Sequence, residues 1–346
     1  MSDSERMMEA LDARVQRRDS RRAFFTQAIG AAAGATMLAG QAAAQTATPT
    51  PTPTPSSTTT YTDIDILNFA LNLEYLEANF YSFCATGSAL GSADISGGVG
   101  TAGAATGGRQ VAFGGDTIIA QYAAEIAADE LAHVRFLRAQ LSSSTVTIAQ
   151  PAIDLGVSAT SAFSNAARAA GVITGASAVF DPYASTNNFL LAAYLFEDLG
   201  VTAYKGAAPL ISNKTFLEAA AGILAVEAYH AATVRSLLYR RGLQTPSALL
   251  VESAGQISAA RDSLDGTPTE DLVRGIAPND DPGIASVTTA DGLASNIVPA
   301  NANGITYSRN PAQVLSIAYL SASAATAGGF FPAGVNGTFK TSGASI

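Results

Sequence analysis

The chain holds only two histidines, and each stands three residues after a glutamate. The pairs are Glu130-Leu131-Ala132-His133 and Glu227-Ala228-Tyr229-His230. Three residues is close to one helical turn, so on a helix each carboxylate and imidazole share a face and can reach one metal ion. With 11 glutamates among 346 residues, chance puts a glutamate at that distance from one histidine about 3% of the time, and from both about once in a thousand. The flanking residues repeat too. Ile126, Glu130, His133 and Leu137 form one stripe, and Ile223, Glu227, His230 and Val234 form the other. Two polar pairs set into core-facing lines would cost several kcal/mol each to bury alone, and divalent metals supply the compensation.

Helical periodicity appears in four long stretches, residues 63–84, 117–141, 187–205 and 213–241. Asp116 is expected to cap the second, and the basic turn Arg240-Arg241 followed by Gly242 to close the fourth. Each is long enough to span a bundle of ~30–40 Å. A glycine-rich excursion joins the first two, a long crossover (142–186) with a short helix at 161–170 joins the second and third, and a short link joins the last two. Further helices are expected near 247–263 and 311–323.

A two-metal site built from paired Glu-x-x-His helices also needs one glutamate from each remaining helix. On the third helix Glu197 shares a stripe with Leu190, Tyr194, Val201 and Tyr204, while Asp198 lies about 100° away. The first helix offers Glu74, in phase with Ala70, Ala78 and Tyr81, or Glu77, on the Leu73/Tyr81 edge; phase favours Glu74. Glu74, Glu130, Glu197 and Glu227 all sit near the middle of their helices, so antiparallel packing would bring them to one level.

Both ends of the chain read differently from this middle. Ser20-Arg21-Arg22-Ala23-Phe24-Phe25-Thr26, an apolar run from 28 to 40 and Ala42-Ala43-Ala44 follow the order of a twin-arginine export signal over residues 1–45. The expected partner is the twin-arginine translocation machinery, and the expected location periplasmic or otherwise exported. The run is shorter than the ~20 residues of a spanning helix, so no stable membrane anchor is expected. Residues 46–60 alternate threonine and proline as an extended linker. The bundle is assigned to residues 61–242. Residues 243–346 form a loop-rich C-terminal extension with one or two helices, packing on the bundle or serving a homo-oligomer contact. Net charge is −9, with no basic cluster in the body of the chain, so nucleic acid is not an expected partner. A single cysteine, Cys84, excludes an intramolecular disulfide and cysteine-based metal sites, and reads as a small buried hydrophobe.

Leu71-Asn72-Leu73-Glu74-Tyr75-Leu76 with Phe80-Tyr81, and the two Glu-x-x-His motifs, resemble the ferritin-like di-iron superfamily. Asn68-Phe69-Ala70-Leu71, the segment Ala127–Leu137 and the tail Gly328-Gly329-Phe330-Phe331-Pro332 are more specifically similar to the ferritin-like domain family that includes desiccation-related proteins. The resemblance implies an all-α, ferritin-like antiparallel four-helix bundle with a long crossover between helices 2 and 3. It implies Glu74, Glu130, His133, Glu197, Glu227 and His230 as ligands of two metal ions, iron or manganese, with Glu130 and Glu227 bridging. The expected function is redox protection by ferroxidase, peroxidase or catalase-type chemistry. The rival expectations are a non-catalytic desiccation or stress-protective envelope protein on the same fold, and passive metal sequestration. The four-cysteine centre of rubrerythrins is missing, and with it a built-in electron route. Tyr81, Tyr122 and Tyr229 read as core aromatics or as carriers of protons and electrons. Arg138 and Arg235 read as partners of ligand carboxylates or as surface arginines.

Overall fold

Each of the four bundle helices starts at a residue whose side chain caps it. In the computed structural model, which describes residues 61–141, 146–266, 281–301 and 304–343, α1 (Asp63–Thr86) opens with a reciprocal Thr62/Asp65 capping box and ends on left-handed Gly87. A short α2 (Ser92–Ile95) and strand β1 (Ala105–Thr106) lead to α3 (Thr117–Gln140), capped by the Asp116 side chain as its position suggests. Strand β2 (Ile153–Asp154) and α4 (Ala162–Ala169) lie in the crossover to α5 (Thr186–Ala207), capped by Ser185. Then come α6 (Lys214–Gln244), capped by Asn213, and α7 (Leu250–Asp265). A small hairpin, β3 (Val287–Thr289) with β4 (Gly292–Ala294), and α8 (Pro311–Ala318) complete the described chain. The export signal and the Thr/Pro linker lie outside the described residues.

The bundle is α1 against α3 and α5 against α6, with α1 and α5 meeting in the middle. The order of contacts makes α1 and α5 antiparallel: Glu74 meets Tyr204, and Tyr81 meets Glu197. Burial divides the four helices unequally. In α1, 17 of 24 residues are buried and in α5 18 of 22, against 7 of 24 in α3 and 9 of 31 in α6. So α1 and α5 are covered on both sides, while α3 and α6 keep outer faces.

Two loops and the C-terminal tail supply that cover. The excursion after α1 does not run free over the surface: β1 pairs in parallel with β2, and Val99 bridges Ile148. Asparagines on α1 satisfy the loop backbone. Asn68 Nδ2 donates to Val146 O, and Asn72 Nδ2 donates to Asn336 O at 2.9 Å. Phe330 packs edge-on against Phe163 and Phe196 at 5.1 and 4.9 Å, so the Gly-Gly-Phe-Phe-Pro tail belongs to the core.

Two expected helix ends move: α8 stops at Ala318, short of the expected 323. Gly242 does not end α6, which continues through Gln244. A Cβ there would lie 2.7 Å from Val251 Cγ2, so the glycine lets α7 approach α6 closely.

A second buried polar region sits beside the bundle. Asp198 Oδ2 accepts from Arg235 Nη1 at 2.6 Å and Arg261 Nη2 at 2.9 Å. Asp281 accepts from Arg261 and Arg309, and Arg309 also donates to Asp265. Arg235 therefore does not serve a candidate ligand carboxylate; its other bonds go to Tyr194 and to backbone carbonyls of residues 282, 283, 296 and 297. Arg138 likewise bonds the Tyr75 hydroxyl and Ser96 O. No helix among the described residues is long and apolar enough to cross a membrane.

Candidate metal centre

The six side chains singled out from the sequence meet at mid-height in the bundle. The stripe residues Ile126, Leu137, Ile223 and Val234 are buried around them, which carries the two Glu-x-x-His pairs inward. His133 Nδ1 lies 3.2 Å from Glu74 Oε2, 3.4 Å from Glu130 Oε2 and 3.7 Å from Glu227 Oε1. His230 Nδ1 lies 3.1 Å from Glu130 Oε1 and 3.6 Å from Glu197 Oε2. The donors thus fall into two groups, Glu74/Glu130/His133/Glu227 and Glu130/Glu197/His230, each with its atoms within 4.8 Å of one another. Glu130 turns one oxygen to each group and spans them. Glu227 puts Oε1 in the first group only; a Cβ on Gly200 would stand 2.3 Å from its Oε2.

Seven donor atoms in this cluster are buried without a hydrogen-bond partner: Glu74 Oε2, Glu130 Oε2, His133 Nδ1, Glu197 Oε2, both oxygens of Glu227, and His230 Nδ1. Buried polar atoms are rarely left so, and an ion is what oxygen and imidazole donors in this arrangement suit.

The protonation of the cluster fits that reading. Burial pushes Glu74 up to about 7 against the pull of His133, and Glu197 up to about 8 against the pull of His230. Glu77 and Glu227 are pushed well above the carboxylate range by burial and then by Glu130. Glu130 goes the other way: burial raises it, but the two imidazoles outweigh that and hold it at about 2. Burial disfavours charged imidazoles, yet the carboxylates hold His133 up at about 11 and His230 at about 9. Without cations the cluster retains protons, and metal uptake would release them.

Two tyrosines complete the ring of contacts. Tyr81 on α1 donates to Glu197 on α5, and Tyr204 on α5 donates to Glu74 on α1. Each tyrosine follows its own helix's glutamate by seven residues. Burial, then the adjacent carboxylate, pushes both hydroxyls well up, so both keep their protons. Tyr81 was visible in the sequence as a neighbour of the site; the role of Tyr204 was not, although the repeated Glu-x6-Tyr spacing carries it. Tyr122 and Tyr229 are surface residues, 36% and 75% exposed, and stand outside the cluster.

Glu77, the other first-helix candidate, is also buried, beside Gly200 and Glu227 and outside both donor groups. Asp129 was not foreseen at all. Its Oδ2 lies 3.1 Å from His230 Nε2, an outer carboxylate that orients the imidazole. Cys84 is fully buried and burial pushes its thiol well up, as befits an inert hydrophobe.

Residues 62–240 match the ferritin-like domain family, so the chain belongs to that family. A desiccation-related protein of Craterostigma plantagineum is 29% identical over 286 residues, covering 78% of this chain and 82% of the relative. A ferritin-like catalase of Nesocodon mauritianus is 28% identical over 289 residues, covering 80% and 84%. No solved structure matches at a significant level.

Proposed function

We propose that this is an exported ferritin-like metalloprotein holding two ions, iron or manganese, that defends against peroxide or oxygen stress. The observation that carries the proposal is the pair of donor groups joined by Glu130, with seven buried donor atoms left without a hydrogen-bond partner. Glu74, Glu227 and His133 would hold one ion, Glu197 and His230 the other, and Glu130 both. Such a pair, when bound, supplies two-electron redox chemistry on small oxygen species. Tyr81 and Tyr204 hold the terminal carboxylates Glu197 and Glu74 in place and keep a proton beside each. Asp129 holds His230 from outside. The relative named as a ferritin-like catalase supports turnover.

Metal analysis of the purified chain tests the site. About two iron or manganese ions per chain are expected, and Glu130→Ala and Glu227→Ala should each lose metal. Absence of bound metal, with both variants as stable as the parent, overturns the reading. Export rests on the twin-arginine pattern at 20–26; replacing Arg21 and Arg22 by lysine should retain the protein in the cytoplasm.

A second reading is a protective envelope protein that binds metal and turns nothing over. The relative named as desiccation-related supports it. Peroxide consumption by the loaded protein separates the two.

A further inference from the structure

The two ends of the donor cluster face different surroundings. On the outer side of His230 stands Asp129, the residue just before Glu130 on α3. The residue just before Glu227 on α6 is Val226. It sits with His133 in the wall of a groove between α3 and α6, with a volume of about 440 Å³. Among the described residues no carboxylate approaches the outer nitrogen of His133, whose Nδ1 faces the cluster. Phe136, Phe216, Ile223 and Val226 make most of the wall apolar, Gln140 and Thr215 are its neutral polar groups, and its one ionisable group besides His133 is the exposed Glu218.

Gly222 lines the same groove. It lies inside α6, where glycine is the poorest helix former apart from proline. Its backbone is not in the left-handed region, and an added Cβ would meet nothing within 4 Å. Neither conformation nor packing calls for glycine there. What the missing side chain provides is width in the groove.

We propose that this groove, on the far side of the His133 ring from the donor cluster, binds a small uncharged molecule bearing an oxygen acceptor, held on the outer nitrogen of His133, and that Gly222 keeps it open. Peroxides and organic hydroperoxides belong to this class; anions are disfavoured by the apolar walls and by Glu218. The proposal rests on the function proposed above only for what the visitor does once bound, since the groove and its glycine stand without metal.

The chain has two histidines, so their imidazole ¹⁵N signals report the two ends of the cluster separately. We would load the protein with zinc, a redox-silent ion, and titrate it with tert-butanol as a neutral probe, then with acetate as an anion of similar size. Tert-butanol should shift the His133 signals and the Val226 and Ile223 methyls saturably while His230 stays fixed, and acetate should not. Gly222→Leu should weaken tert-butanol binding at least tenfold with zinc content and helicity unchanged. Val226→Asp, which places a carboxylate at the position corresponding to Asp129, should weaken it as well. Equal shifts at both histidines, equal response to acetate, or undiminished binding in Gly222→Leu would each overturn the proposal. Failure to take up zinc would instead count against the metal centre, and the same titration on the metal-free chain would still decide the groove.

Discussion

Two buried ionic regions lie side by side in this fold, and adjacent residues of α5 belong to each: Glu197 to the donor cluster, Asp198 to the arginine network. The network matches three aspartates with three arginines, and Asp281 is held below the ordinary carboxylate range because Arg261 and Arg309 outweigh its burial. It leaves one oxygen of Asp198 and one of Asp265 without a partner. The cluster has no arginine or lysine and leaves seven atoms without one. The lesson is that burial of charge alone does not mark a functional site. Buried donor atoms left without hydrogen bonds, in a cluster whose cations are its own two imidazoles, do.

Breaking the network gives the largest expected effect. Arg261→Ala removes the arginine that bonds both Asp198 and Asp281, leaving each buried carboxylate a single arginine partner, and should lower stability by about 3–5 kcal/mol in urea unfolding, with little change in the metal content of the folded fraction. A loss of metal with no loss of stability would erase the distinction between the two regions.

Next comes the pH dependence of the metal-free chain. Glu74 and Glu197 titrate at about 7 and 8 when folded and near 4.5 when unfolded, so over that interval the folded state binds more protons and stability falls as pH rises. His133 and His230 add to the fall above 6.5, toward about 11 and about 9. Glu130 acts in the opposite sense, losing its contribution as pH drops below 4.5 toward about 2. The melting temperature of the metal-free chain should therefore decline from pH 5 to pH 9. With Mn(II) or Fe(II) present the decline should flatten or reverse, because cations take the place of protons. A melting temperature independent of pH and metal would contradict this.

Smaller effects sharpen the contrast. Glu227→Gln should raise the melting temperature of the metal-free chain at pH 8, since it replaces a carboxyl that burial disfavours in its charged form, and should weaken metal binding. The corresponding Asp198→Asn, in the network, should lower it. Gly222→Ala should stabilise the fold by about 1 kcal/mol, the helix-propensity difference alone.

The sequence was most informative where local spacing carries the chemistry. Glu130/His133 and Glu227/His230 could be placed on one face because a helix alone determines that geometry, and the caps Asp116 and Asn213 stand where the periodic runs begin. Phase favours Glu74 over Glu77 only by a small margin because α1 is buried on nearly all sides and both glutamates are buried; Glu74 is the one that joins a donor group. Arg235 bonds no candidate ligand carboxylate because its partners arrive from distant segments, Asp198 37 residues away and the backbone of Ile297 62 residues away. No periodicity encodes such pairings. Gly242 read as a helix terminator because close packing against Val251 and a left-handed turn leave the same letter in the sequence.

The bond between Asn72 and Asn336 has a consequence for how the protein is made. Asn72 is fully buried at the middle of α1, and both of its amide atoms engage the backbone of Asn336, 264 positions later. While the ribosome is still producing the intervening segments, the first helix has an open flank where the C-terminal tail belongs. The nascent chain must therefore wait, with α1 unfinished, until residue 336 emerges from the exit tunnel, and pairing over so long a separation slows folding. A chaperone that shields this flank during synthesis would act on the region that is hardest to complete.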